Sequence, residues 1–495
     1  MKSSGEPLLT VEHPPIYEMS VPPFTRSKIV CTIGPASEDE ETLRAMVRAG
    51  MDVARINMSH GTPGEKRPVF ERLRMIGDTS IMVDLPGPKI RLGELDGAYT
   101  LEEGDRIHFT TRPRVGDRRE MSVSYDRLPA EVRVGGHLFI NDGIIDLEIT
   151  GIDQDLKGFD AVVASGGEVS SRKGVNAPGA ALSIRPPTEK DLTGIRFGVE
   201  MDCDWFAASF IRDASDVRAV NEAISEAGGD QPVISKIEHG DAVRNIGEII
   251  EASDGVMVAR GDLGIEIPPW DVPLLQKKII AACNRLGKPV IVATQMLESM
   301  MHTPRPSRAE ASDVANALLD GADAVMLSGE TAIGRYPVET VRAMNNIGWV
   351  VQEQITHREP SERGALLPNV IGALATRAVE AVEASAIIVV TRSGFSALMV
   401  STHRPKTRIL AVSKDPRVSR RMHLYWGVEP LKVPWTDDRD ELIIRAVRKS
   451  IEEGYIHEND VISLVSGSTL IAPGLTTTLE ILRVKDILYR AGRRD

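Results

Sequence analysis

Cysteine is scarce in this chain: three residues, Cys31, Cys203 and Cys283, in 495. They form no C-x-x-C and no paired framework, which excludes a disulfide-stapled scaffold and points to a reducing, cytoplasmic setting. No run approaches the ~18 consecutive apolar residues of a membrane span. The opening residues M-K-S-S-G-E-P lack the apolar stretch of a secretion signal. Positive charge is not in excess either. The formal net charge is −12, so nonspecific nucleic-acid binding is not expected. G-x-x-x-x-G-K-[ST] is missing, which excludes a P-loop, and no G-x-G-x-x-G follows a β-like run. The histidines show no H-E-x-x-H and no close His/Cys set, so zinc is disfavoured, and His60 and His239 read as local hydrogen-bonding residues.

What is present is a rhythm. Continuous apolar runs at 28–33, 53–57, 80–85, 205–210, 233–237, 255–260, 289–294 and 324–328 read as strands buried on both faces. Helical segments separate them. The stretch from Ser37 to Gly50 is the clearest, with Ser37 as candidate N-cap, acids in the first turn and Gly50 at the end. Eight strand–helix repeats predict a closed (β/α)8 TIM barrel; a doubly wound open sheet is the alternative and would not need eight.

One interval of about 120 residues between strands three and four is too long for a simple loop. It is strand-like and turn-rich, which predicts a small inserted β-barrel domain acting as a lid. The expected organisation is a leader (1–24), the first part of the barrel (25–92), the lid (93–185) and the rest of the barrel (186–356). After a linker comes a C-terminal α/β domain (365–495), with strands at 386–391, 408–413 and 461–465.

In such a barrel the reactive groups sit where strands end. Strand two supplies Arg55 and Asn57 on one face, with Ser59 beyond; strand five ends in Lys236 and Glu238; strand six in Arg260 and Asp262; strand seven in Thr294. Glu238 and Asp262 make a hard-oxygen pair suited to Mg²⁺ or Mn²⁺. Lys236 is a point charge for a transferring phosphoryl group. A rim salt bridge and a Schiff-base lysine are the other readings of Lys236, and the adjacent metal-type acids argue against the second. The Gly261-to-Gly264 turn offers free N–H groups for an anion.

Ordered blocks then carry a resemblance across nearly the whole chain. They are K-I-V-C-T-I-G-P-A-S from Lys28, V-A-R-I-N-M-S-H-G from Val53, I-S-K-I-E from Ile234 and M-V-A-R-G-D-L-G-I-E-I-P from Met257. A-T-Q-M-L-E-S-M from Ala293, P-R-P-S-R-A-E from Pro304 and D-G-A-D-A-V-M-L-S-G-E-T-A from Asp320 follow. Together they resemble the pyruvate kinase family. The resemblance implies phosphoryl transfer from phosphoenolpyruvate to ADP, with Lys236 and Arg55 on the phosphoryl group and Glu238 and Asp262 holding the divalent ion. It also implies the Gly261 and Asp262 N–H groups on the substrate carboxylate, Thr294 orienting the water that protonates the enolate, and Arg91 facing the nucleotide. A homotetramer is the usual family assembly. The rival readings are a Mg²⁺-dependent barrel lyase or aldolase and a non-catalytic effector-binding scaffold.

Two departures stand out. Many family members have D-T-K-G-P-E-I-R at strand three, where this chain has D-L-P-G-P-K-I-R from Asp84 to Arg91. The common glutamate accompanies a bound K⁺, whose ligands correspond to Asn57, Ser59, Asp84 and the Leu85 carbonyl. Lys89 stands in its place, and its ammonium would replace K⁺ and repel it, so K⁺ is not expected to be required. Ile333 stands where the family often has lysine, with an effect expected on nucleotide or lid contacts. In the C-terminal domain, the turn Thr391, Arg392, Ser393, Gly394, Phe395, Ser396 is a candidate anion site for a sugar-phosphate or nucleotide effector.

Overall fold

The computed structural model describes residues 24–355, 367–467 and 476–491. The leader, apart from Phe24, and the linker expected after residue 356 lie outside the described residues. Eight parallel strands close a barrel: β1 (Lys28–Thr32), β2 (Val53–Asn57), β3 (Ser80–Leu85), β4 (Trp205–Ala208), β5 (Val233–Ile237), β6 (Gly255–Ala259), β7 (Val290–Ala293) and β8 (Ala324–Leu327). Closure is made where β1 pairs with β8, Lys28 opposite Ala324. The open-sheet alternative is thereby excluded.

Side-chain parity does the sorting that positions the site. On β5, Val233 and Ile237 face the surrounding helices, while Ile234 packs inside with Val53, Met82, Met257 and Ile291. Lys236 shares the inward parity of Ile234. Arg55 shares that of Val53, and Asp84 that of Met82. The lower barrel is therefore filled with apolar side chains and the upper layer is charged.

The helices start and stop for local reasons. Thr62, Thr188 and Ser307 each make a capping box with the acid three residues on. The first helix is a correction. It spans Glu40–Ala49, and its N-cap is Asp39, which accepts from the Thr42 N–H. Ser37 is buried and instead accepts from the Gly34 N–H, because its hydroxyl closes the preceding turn.

Between β3 and β4 lies the inserted β-domain, a seven-stranded sheet in the order 90–91, 174–176, 137–140, 145–152, 158–165, 106–110, 120–122. Its two edges meet through one bridge, Leu92 with Val123. Phe109 and Phe159 stack in its core. Its turn at Gly143 approaches Ile265 of the barrel.

The C-terminal domain is a five-stranded sheet, order 428–430, 408–412, 386–390, 461–467, 476–483. The strands 428–430 and 476–483 were not expected from sequence; the first has three residues, and the second is an antiparallel, half-polar strand without a continuous apolar run. This domain packs under the N-terminal ends of the barrel strands. Trp205 at the start of β4 meets Tyr425 edge to face. Arg404 donates to Asp323, which precedes β8, at 2.6 Å, with both side chains buried.

Candidate active site

The charged layer at the C-terminal ends of the strands consists of a hydrogen-bonded group around Lys236 and a second set around Asp262, whose charge is felt by Lys236 and Glu238. Arg55 Nε donates to Asp84 Oδ2 at 2.6 Å, and its Nη1 to Thr32 Oγ1 at 2.7 Å. Lys236 Nζ lies 2.7 Å from Glu238 Oε1, 2.7 Å from Ser209 Oγ and 3.4 Å from Asp84 Oδ1. Glu238 Oε2 accepts from the Phe210 N–H at 2.8 Å. All of these side chains are buried.

Their electrostatics follow from that burial. Burial disfavours the Lys236 ammonium, but Asp84 and Glu238 more than reverse this and hold it firmly charged. For Asp84, burial opposes ionisation and is outweighed by Arg55 and Lys236, so its carboxyl lies below the ordinary value. Glu238 behaves differently. Burial pushes its carboxyl up, Lys236 opposes this, and the nearby Asp262 charge adds to the rise.

Asp262 sits in the helix Arg260–Glu266, which starts directly at the end of β6. Lys89 reaches it from the segment between β3 and the inserted domain, Nζ to Oδ1 at 3.3 Å, and lies 4.0 Å from Asp142 of that domain. Lys89 therefore points into the barrel mouth and not to an outer surface acid. The Gly261 N–H donates to Thr294 Oγ1 at 2.8 Å, and Thr294 donates onward to the Ala293 carbonyl at 2.6 Å. That Gly261 donor already has an acceptor inside the protein.

Thr294 and Gln295 follow β7 with φ of 70° and 54°. Two successive non-glycine residues in the left-handed region cost about 1–3 kcal/mol each and require outside support. Arg260 supplies it, donating to the Thr294 and Gln295 carbonyls at 2.7 and 3.1 Å.

A family model for the pyruvate kinase barrel domain matches residues 24–341, and one for the pyruvate kinase alpha/beta domain matches residues 369–482. The chain belongs to the pyruvate kinase family. It is 41% identical over 474 residues to pyruvate kinase 2 of Synechocystis sp., covering 94% of this chain and 80% of that protein. It is equally 41% identical over 472 residues to a pyruvate kinase of Staphylococcus aureus strain USA300, covering 93% and 81%. The chain is accordingly an enzyme of glycolysis that moves the phosphoryl group of phosphoenolpyruvate to ADP, giving pyruvate and ATP. Membership implies a general dependence on Mg²⁺. No described helix is long and apolar enough to cross a membrane.

Among the described residues no group of three or more His, Cys, Asp or Glu could hold a metal. A two-carboxylate site fits that finding, since Mg²⁺ commonly takes one or two protein carboxylates and fills the rest with substrate oxygens and water. The donor set of Glu238 and Asp262 is all oxygen, the chemistry a hard divalent ion takes.

The structure brings Arg55, Asp84, Lys236 and Glu238 into one bonded group, pairs Lys89 with Asp262, and bonds the Gly261 N–H to Thr294. In the monovalent-cation region, Asn57 Oδ1 accepts from the Ser59 N–H at 2.9 Å, and the Ser59 carbonyl accepts from Lys190 Nζ at 2.9 Å. Leu85 is buried at the end of β3. Arg91 lies on the lid side, donating to the Arg172 carbonyl. The turn Thr391–Ser396 belongs to the C-terminal domain, under the opposite end of the barrel. There Thr391 Oγ1 accepts from the Gly394 N–H at 3.1 Å, and Ser396 bonds Thr476. Ile333 is exposed.

Sequence reasoning missed Thr32, Ser209 and Lys190 as site residues; it placed Arg260 at the end of strand six without giving it a role. Thr32 at the end of β1 and Ser209 just after β4 carry no special signal beside their apolar strands. Lys190 lies in the first turn of a helix and depends on the fold to reach Ser59. It also lies near Arg91, and both positive charges depress the pKa of His60, whose largest perturbation is burial. His239 is a local hydrogen-bonding residue as expected, its Nδ1 capping a short helix by accepting from the Asp241 N–H.

Proposed function

We propose that the barrel mouth performs this transfer with Lys236, Arg55 and Thr294 as catalytic residues and Glu238 and Asp262 as metal ligands. One observation carries the reading: a buried ammonium held charged between two carboxylates at the centre of the mouth. A transferring phosphoryl group spreads negative charge over three oxygens, and fixed cations in a water-poor site stabilise it most. Lys236 and Arg55 are those cations. The enol oxygen–phosphorus bond breaks while a terminal ADP oxygen bonds to phosphorus. A divalent ion, Mg²⁺ or Mn²⁺, supplies charge compensation at the substrate's carboxylate and enolate oxygens when bound.

The enolate then takes one proton at its methylene carbon to become pyruvate. Thr294 orients the water that delivers it, since a hydroxyl of high pKa is a poor acid by itself. The substrate carboxylate meets the Asp262 N–H, and it meets the Gly261 N–H as Thr294 Oγ1 yields that donor. Arg91 meets the ADP phosphates. The neighbouring Lys190 adds to that basic wall, while burial and these cations keep His60 toward its neutral form.

Lys89 replaces the charge that K⁺ supplies elsewhere in the family, so the enzyme needs no K⁺. Both Asp84 oxygens are engaged by Arg55 and Lys236, and Lys190 covers the Ser59 carbonyl, which supports this. The lid is residues 93–185 and the regulatory domain 365–495. An anionic sugar-phosphate or nucleotide effector would bind at the turn Thr391–Ser396, where Ser393 lines a cavity at the seam with the barrel whose charged lining is Lys288, Arg421, Asp230 and Asp254. Exposed apolar side chains at Trp270, Leu274, Leu367, Val370 and Leu374 support a homotetramer. The three buried free thiols suit a cytoplasmic enzyme.

The test is pyruvate release from phosphoenolpyruvate with Mg²⁺, with and without ADP. Strict ADP dependence that Lys236→Met abolishes supports these assignments. ADP-independent pyruvate release indicates the lyase, and an intact rate in Lys236→Met removes the lysine from its role.

A further inference from the structure

We propose that Arg260 is a positioning residue for the protonation half of the reaction. The inference rests on the reading of Thr294 given above. Arg260 is the first residue of the helix that carries Asp262, and its side chain turns back across the end of β7. Nε and Nη2 both donate to the Thr294 carbonyl, at 3.3 and 2.7 Å, and Nη2 also donates to the Gln295 carbonyl at 3.1 Å. Nη2 lies 2.8 Å from Met296 Sδ. On its other side Nη1 is anchored by Asp313 Oδ1 at 2.8 Å and Gln276 Oε1 at 3.5 Å.

The guanidinium thus grips Thr294 and Gln295, the two successive residues with left-handed backbone after β7. A lysine cannot reproduce this, because its three donors radiate from one atom and lack the planar fork. The consequence is specific to one step. Thr294 Oγ1 is placed by the backbone turn that Arg260 holds, whereas Lys236, Arg55 and Glu238 are placed by β2, β3, β4 and β5. Losing the fork lets Thr294 drift while leaving the phosphoryl-transfer cations in register. A misplacement of ~1 Å at a reacting group costs about a hundredfold in rate.

Two rates separate the steps. Exchange of the pyruvate methyl protons with D2O, with Mg²⁺ and ATP, is followed by NMR and reports protonation. Quenched single-turnover ATP formation from phosphoenolpyruvate and ADP reports phosphoryl transfer. In Arg260→Lys the ratio of exchange to ATP formation falls about tenfold or more. In Asp313→Asn, which loosens the anchor at a half-exposed position, the ratio falls in the same direction by less. Thr294→Ala is the control for the underlying reading.

If Thr294→Ala loses exchange but Arg260→Lys and Asp313→Asn keep the wild-type ratio, the positioning role is wrong and the Thr294 reading stands. If Thr294→Ala exchanges at the wild-type rate, both fall. If Arg260→Lys lowers both rates equally together with Tm, Arg260 is a structural strut only, and the proposal is overturned.

Discussion

Lys89→Glu restores the common family glutamate and swaps an ammonium for a carboxylate 3.3 Å from Asp262. A unit charge at that distance is worth about 5 kcal/mol at an effective dielectric near 20 and about 1.3 kcal/mol in water. The two side chains are 26% and 25% exposed, so the true value lies between these limits. The substitution changes local charge by two units. Even the water limit then changes the interaction with Asp262 by about 2.5 kcal/mol, and the part of it felt at the reacting phosphoryl group sets the loss, up to about a hundredfold in rate. The assay is pyruvate release from phosphoenolpyruvate with ADP and Mg²⁺, in Na⁺ and K⁺ buffers at one ionic strength. The wild type is expected to run equally in both. Lys89→Glu is expected to lose up to about a hundredfold in Na⁺ and to regain part of that in K⁺. A many-fold K⁺ activation of the wild type, or a variant that keeps its full rate in Na⁺, refutes the charge-replacement argument.

Lys236→Met leaves Asp84 with Arg55 and Glu238 with the Phe210 N–H, and removes the ammonium that both buried carboxylates share. Removing one partner of such a set destabilises by about 3–5 kcal/mol, which urea denaturation at pH 7 measures, and the same variant should lose at least about a hundredfold in kcat. Glu266 is pushed up to about 7 by burial, against a hydrogen bond from Asn176 of the lid. The folded state therefore holds a proton that the unfolded chain has lost, and stability falls as pH rises from the ordinary carboxylate range near 4 toward about 7. Glu266→Gln should flatten that decline, gaining about 3 kcal/mol over wild type at pH 8 relative to pH 4; parallel pH slopes in urea denaturation contradict it. Arg404→Met removes the guanidinium that bonds Asp323 and lies 4.8 Å from the Trp426 ring centroid. It leaves Asp323 buried without that partner and should cost about 3–5 kcal/mol, read as a drop in Tm.

The eight barrel strands were legible because a strand buried on both faces must be continuously apolar, and a polar residue at its end then stands out. Lys236, Glu238 and Asp262 were visible for that reason. The ends of helices were less so. Ser37 and Asp39 both have capping chemistry, and only the path of the preceding turn, which takes up the Ser37 hydroxyl, decides that Asp39 caps. The strands at 428–430 and 476–483 lack the apolar continuity on which the reading relied.

Residue type and order by themselves determined the barrel, the insertion, the family and the inventory of charged groups at strand ends. These properties are local, since parity along a strand and the chemistry of a turn need no distant partner. The tertiary structure decided which of those groups meet. Arg55 and Asp84 are 29 residues apart, Lys236 and Ser209 27, and Lys89 and Asp262 173. Barrel closure and strand register bring each pair within bonding distance. The same closure buries them, and burial sets their charge: it raises Glu238, is overcome at Asp84, and leaves the Lys236 ammonium fixed between the two.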